Sequence, residues 1–397
     1  MRDTSNFRTK TKIQENDNGY IKGKWIIGLD IGYSAVKLFS PNTIAKFPAY
    51  AKIVDKNFNF VTGAPDNAIL YRDEAGTTWL IGELAQNSLS DKDTSDSEAV
   101  LYNREWMRTP MYKVLAEAGL GIAMQKAEFT DSNENKYIIA PGEYDKIIIQ
   151  TGLPEKYLNN TEEVEDVLCG KHQFSLKIGK KPWQDFCINI EKGNINVMSQ
   201  PKGTLFSICV GNNGGMYQDA TKYLSSSAIV FDAGFGTLDI FLMQNGHVIS
   251  GETYSELGMK RILKNTTERI KQEFDIDIPV PSMQKYLGTG TVRYKSRNKG
   301  EFISKEIAFG DILAEESKKV CEEAINKMAD AVDLLDYNYL FISGGTGAAW
   351  FNQIKSTFEN FETLKVIQGN QNSNLPFVYA NARGYYLYRF NKERQAG

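Results

Sequence analysis

At 397 residues, with 42% hydrophobic and 24% charged side chains and a formal charge of −3, the chain has an ordinary soluble globular composition and is long enough for two domains. So small a net charge excludes the basic footprint of a protein that binds nucleic acid directly. Four cysteines without a CxxC pair and only two histidines exclude a zinc cage and a disulfide framework, and leave little material for a Ser-His-Asp or Cys-His nucleophile.

Residues 1–20 are polar and mixed in charge, without the apolar core of a signal peptide, and read as a disordered arm. No stretch reaches the ~18 continuous apolar residues of a membrane span. Residues 25–30 and 35–39 read as two strands joined by Gly32-Tyr33-Ser34, with Lys37 on the outgoing strand. Short strands follow near 47–48, 57–62 and 77–81, then an acidic surface loop at 88–97, a helix at 111–125 and a polar loop at 126–142. The strand at 144–151 ends in the sharp turn QTGLP (150–154). A short helix and two or three strands at 155–195 lead to a strand at 195–198 that runs into Ser199-Gln200-Pro201. An apolar helix at 204–210 closes on a glycine cluster at 211–215, the best linker in the chain.

Residues 227–243, SAIVFDAGFGTLDIFLM, read as strand, tight turn, strand. A turn so poor in side chains lets backbone N–H groups point at a phosphate, and Asp232 at its rim can hold a cation or a water against it. Superposing Asp30 on Asp232 also superposes Gly32 on Gly234 and Ile26-Ile27 on Ala228-Ile229, so the chain reads as two related halves. Each half aims a glycine turn and an Asp at a shared cleft, an arrangement suited to a polyphosphate with a divalent cation. Farther on come an amphipathic helix at 258–274, a basic hairpin or loop at 289–299 and a long helix at 311–335. A buried strand at 339–343 then stops at Gly344-Gly345-Thr346-Gly347, a third platform at a strand's carboxyl end. The chain closes on an aromatic helix at 385–390.

GLDIGYSAVK (28–37), FDAGFGTLDI (231–240) and FISGGTGAAW (341–350) resemble the first phosphate, second phosphate and adenosine segments of the actin, sugar-kinase and heat-shock-chaperone ATPase superfamily. QTGLP (150–154), VMSQP (197–201) and FVYANARGYY (377–386) are similar to the ParM-type bacterial actins that segregate plasmids. The resemblance implies an α/β, actin-like ATPase fold, with two duplicated ribonuclease-H-like domains around a central nucleotide cleft. On that plan a first domain spans 21–215, with a small subdomain inserted at about 45–110; a second spans 216–376, and a C-terminal helix at 377–397 returns to the first.

It further implies a cytoplasmic ATPase that takes ATP or ADP, with GTP or GDP as alternatives, together with Mg2+. Such a protein polymerises with itself into filaments and moves plasmid DNA through a DNA-binding adaptor, without touching nucleic acid or membrane. Asp30 and Asp232 are similar to the metal-side carboxylates. Asp232 and Gln200 resemble the groups that order the attacking water, Gln200 standing where plasmid-type members often carry Glu. Gly32, Tyr33, Ser34 and Lys37, then Gly234, Phe235, Gly236 and Thr237, resemble the phosphate contacts, and Gly344, Gly345 and Thr346 the adenosine platform. Two other readings stay open: a metabolic kinase of the same fold with a small-molecule acceptor, and a filament protein that binds nucleotide without hydrolysing it.

Overall fold

The computed structural model describes residues 3–18, 20–55, 57–89, 104–125, 127–130, 136–139, 146–298 and 301–396. Among them, two sheets repeat one plan. The first runs in spatial order Lys12–Glu15, Thr43–Pro48, Ala35–Phe39, Lys24–Ile31, Lys146–Leu153, Ile195–Ser199. Its central strand, Lys24–Ile31, is antiparallel to the hairpin strand that follows it and parallel to Lys146–Leu153, which in turn is parallel to Ile195–Ser199. The second sheet runs His247–Tyr254, Leu238–Gln244, Ala228–Ala233, Tyr339–Ser343, Lys365–Gln368, with the same alternation of antiparallel and parallel pairs. The duplication read from two glycine turns therefore extends over five strands in each half.

The central strands are unbroken apolar runs because both faces are covered. Trp25, Ile27 and Leu29 face one side of the first sheet and pack, with Leu115, Ala118 and Ile122, against the helix Pro110–Ala123. Ile229 and Phe231 do the same in the second sheet, with the helices Met259–Phe274 and Gly310–Ala331 over them. Between the sheets lies a third core, in which Ile26, Phe39 and Ile148 meet Val230, Phe241 and Tyr386. Two helices run through it, Gln200–Cys209 and the C-terminal Ala380–Gln395. They cross so closely that a Cβ on Gly384 would run into the Gly203 carbonyl, which explains why both positions lack a side chain. Buried Arg383 ties the crossing to the linker, donating to the carbonyls of Ser207 at 2.5 Å and Val210 at 3.2 Å and to Asn212 Oδ1 at 2.9 Å.

Four expectations need correction. Residues 57–62, read as a strand, are turn and coil, with the neighbouring strands at Ala51–Val54 and Ile69–Asp73. The N-terminal arm is ordered over its described residues: Lys12–Glu15 pairs with Thr43–Pro48 as an edge strand, and buried Thr4 donates its hydroxyl to Leu287 O at 2.7 Å. An edge strand needs little apolar pattern, since its partner's backbone supplies the order, and here Ile13 alone packs on the core. The small subdomain is also not confined to about 45–110. Its sheet orders Gln184–Ile190, Gly170–Ile178, Ile69–Asp73, Thr78–Ile81, Ala51–Val54, so a hairpin far downstream completes it. The stretch taken as a polar loop at 126–142 holds a short hairpin, Ala127–Thr130 with Lys136–Ile139. The acidic loop at 88–97 lies largely outside the described residues. Among the described residues no helix is long and apolar enough to cross a membrane.

Candidate nucleotide cleft

Each half ends its central strand in the same turn. Gly32 N donates to Ala35 O at 3.0 Å, and Gly234 N donates to Thr237 O at 2.9 Å. The register carries the equivalence further, for Asp30 faces Lys37 across its hairpin and Asp232 faces Asp239 across the other. The third turn follows Ser343. Gly344 adopts φ 81°, where a Cβ would strike Ala233 O, and the helix Gly345–Thr357 begins at once with its N-terminus toward the cleft. Thr346 Oγ1 donates to Gly234 O at 2.6 Å and so locks this platform onto the second turn.

All fourteen sequence-predicted site residues line one cleft, with a cavity of about 240 Å³. Asp30, 2% exposed, forms an ion pair with Lys37 Nζ at 2.9 Å and accepts from Gln200 Nε2 at 3.3 Å. Gln200 can reach it because it is the first residue of its helix, with Pro201 behind it in the first turn. Tyr33 leans across from the first turn onto Gly236 of the second, with its ring beside Trp106. Ser34, Phe235 and Thr237 sit on the cleft walls, and Thr237 Oγ1 donates to Asp239 at 3.0 Å.

Four residues that the sequence reading passed over complete the polar floor. Asp239 is buried and accepts from Thr253 at 2.5 Å. Burial pushes its carboxyl up to about 7, against the Thr253 hydrogen bond, and the charge of Asp232 adds to the effect. Asn381, from the C-terminal helix, donates to Asp232 Oδ2 at 2.7 Å and accepts from Thr204 at 2.8 Å, while Thr204 also reaches Ser343 at 2.6 Å. The two crossing helices and the ends of two strands thus share one hydrogen-bonded network. Asp232 itself is pushed up to about 6, first by burial, with Asn381 opposing and the Asp30 charge adding. Asp239 was within reach of the sequence, since the alignment that paired Asp30 with Asp232 also places it opposite Lys37.

The mouth of the cleft is bridged. Gln86 donates to Gln284 at 3.2 Å, and Gln284 donates to the Tyr50 hydroxyl at 2.9 Å. The N-terminal arm lies alongside, with Phe7 against the second core and Arg8 Nη2 donating to Asn87 at 2.7 Å.

A family model described as actin like proteins N terminal domain matches residues 28–203. The fold is actin-like. The solved structure of a non-polymerisable quadruple mutant of pCBH ParM superposes with a TM-score of 0.66 at 22% identity, covering 93% of this chain and 99% of that one. A 15-stranded ParM filament from Clostridium botulinum gives 0.65 at 21% identity, over 94% and 100%. Ta0583, an archaeal actin homolog in complex with ADP, gives 0.55 at 16%, over 93% and 99%. At these identities the likeness is one of fold. No curated protein matches in sequence.

Proposed function

We propose that this chain is an ATPase that polymerises into filaments in a nucleotide-dependent way and moves plasmid DNA in the cytoplasm through a DNA-binding adaptor. The observation that carries the reading is the convergence of both Asp-bearing turns, the Gln200 helix and the Gly344 platform on one cleft. The ADP complex of an archaeal actin homolog and the ParM filament, both of this fold, support nucleotide in that cleft and head-to-tail self-association.

Each part of the cleft has a task in attack of water on a terminal phosphate. Backbone N–H groups of the two glycine turns offer donors to phosphate oxygens, and Lys37 supplies a cation once it exchanges Asp30 for phosphate. Gln200, on a rigid helix start, orients water through its amide without taking the proton, which suits a slow timer. Asp232 and Asp30 are the carboxylates that would hold Mg2+. Among the described residues there is no cage of three or more ligands, and Mg2+ wants none: it keeps several waters and takes one or two carboxylates with phosphate oxygens. The fit is also electrostatic, because the Asp232 carboxyl is raised by burial, with the Asp30 charge adding, and a divalent cation beside it would relieve that cost. When bound, the ion neutralises charge developing on the phosphate.

Light scattering and phosphate release with ATP and Mg2+ test the proposal together, and GTP in parallel settles nucleotide choice. Scattering should rise above a critical concentration without any added acceptor. Turnover that waits for a sugar or acid, with no scattering, points to a metabolic kinase; scattering with no phosphate release points to a purely structural filament.

A further inference from the structure

Four side chains stand in a row across the first sheet, one on each of four adjacent strands. Lys12 is directly opposite Lys46, Lys46 opposite Lys37, and Lys37 opposite Asp30, so all four share one face. Like charges placed directly opposite each other across a ladder are destabilising. The inner end of the row is balanced, because Lys37 pairs with Asp30. The outer end, Lys12, is exposed to water. Lys46 has neither remedy. It is partly buried and lines the cleft with Lys37, and its Nζ stands 5.8 Å from the centroid of the Tyr379 ring. Among the described residues it has no hydrogen bond and no ion pair within 4.0 Å. Burial lowers its pKa, and the charges of Lys12, Lys37 and Lys10 add to that, with Glu83 opposing.

A cation drawn into a cleft between two other cations, with no counter-charge of its own, costs stability unless an anion arrives there. We propose that Lys46 is a second phosphate-contacting cation of the cleft, standing beyond Lys37 and taking oxygens of a nucleotide's polyphosphate chain; the nucleotide in this statement rests on the function proposed above. The strand Thr43–Pro48 then belongs to the site as much as the glycine turn does. Its alternation serves both ends, with Ala45 and Phe47 in the core on one face and Lys46 toward the cleft on the other.

The test compares the parent with Lys46→Met and Lys46→Arg by calorimetry, using Mg2+-ATP, Mg2+-ADP and tripolyphosphate alone. Losing one charge-assisted phosphate contact should weaken ATP and tripolyphosphate about tenfold in Lys46→Met, while Lys46→Arg keeps most of the affinity. A lysine that merely fills space would leave a less stable protein when replaced; here nucleotide-free Lys46→Met should melt no lower than the parent, since a repelled charge has gone. Parental affinity of Lys46→Met for both ATP and tripolyphosphate overturns the proposal. If the parent binds tripolyphosphate but neither nucleotide, the nucleotide reading falls, and the tripolyphosphate comparison still decides Lys46. A parent that binds none of the three overturns both.

Discussion

Replacing Asp232 by asparagine separates what this buried carboxyl costs the fold from what it does in the cleft. In the nucleotide-free protein, burial and the Asp30 charge raise this carboxyl from an ordinary value of 3.8 to about 6. Between those values the folded chain binds more protons than the unfolded one, so stability falls as pH rises through the window and levels off above it. At ~1.36 kcal/mol per unit, just over two units amount to about 3 kcal/mol of destabilisation in the ionised protein. Roughly half of that should return on acidifying from about pH 8 to about pH 5. Asparagine keeps a carbonyl for the Asn381 Nδ2 donor, now 2.7 Å away, so the hydrogen bond survives while the charge does not. Nucleotide-free Asp232→Asn should therefore resist urea better than the parent at the higher pH, by up to about 3 kcal/mol, with a shallower pH slope that Asp239 still sustains. The same variant should gain little stability from Mg2+-ATP and release no phosphate. If it is no more stable than the parent at high pH, or keeps the parent's stabilisation by Mg2+-ATP, the electrostatic account of this cleft is wrong.

Gln200→Ala should still assemble with ATP but release phosphate slower by about one to three powers of ten, because a positioning group acts in the transition state; parental release moves that role to Asp232 and its neighbours. Gly384→Ala should cost about 3 kcal/mol or more in thermal unfolding, since backbone stands on both sides of the clash with Gly203 and nothing flexible can yield. Deleting residues 2–9 removes the Thr4 and Arg8 bridges at the cleft mouth and should speed release of a fluorescent nucleotide roughly thirtyfold, at ~1 kcal/mol for each of the two lost hydrogen bonds. Unchanged release would mean that the arm does not hold the cleft closed.

How much of this was legible depended on how local each cause is. The central strands showed themselves because both their faces are buried, so Trp25 to Leu29 and Ala228 to Phe231 read as continuous apolar runs. The glycine turns were legible for the same reason: each closes on itself within four residues. The Lys12–Glu15 strand was not, because its order comes from the backbone of Thr43–Pro48 and Ile13 is its one side chain packed on the core. The small subdomain hid its second half, for nothing in residues 170–190 names Ile69–Asp73 as their neighbour. Asn381 and Thr204 were invisible as site residues until two helices crossed and put both against Asp232 and Ser343. Asp239 differs from these. It was visible by alignment, and its meaning depended on burial that a sequence does not state.

The two halves repeat a fold and reverse a charge. Opposite its carboxylate the first turn carries Lys37, and the second carries Asp239 at the same ladder position. The first sheet therefore brings positive charge to the cleft, with Lys46 behind Lys37, and the second brings two carboxyls that burial and mutual repulsion keep from ionising easily. A polyphosphate arriving alone is welcomed by one wall and repelled by the other; a divalent cation arriving alone meets the opposite problem. Each relieves the repulsion the other suffers, so the two should bind with positive coupling, and linkage makes that coupling the same whichever is added first. Titrating ATP with and without Mg2+ measures it. For charges brought together in a buried site the coupling should be at least about 1–3 kcal/mol, or roughly five- to hundredfold in affinity. Asp232→Asn should shrink it, because that substitution removes one of the charges that makes the second wall hostile to phosphate, whereas equal affinities with and without Mg2+ in the parent would mean that the two walls do not share one ligand.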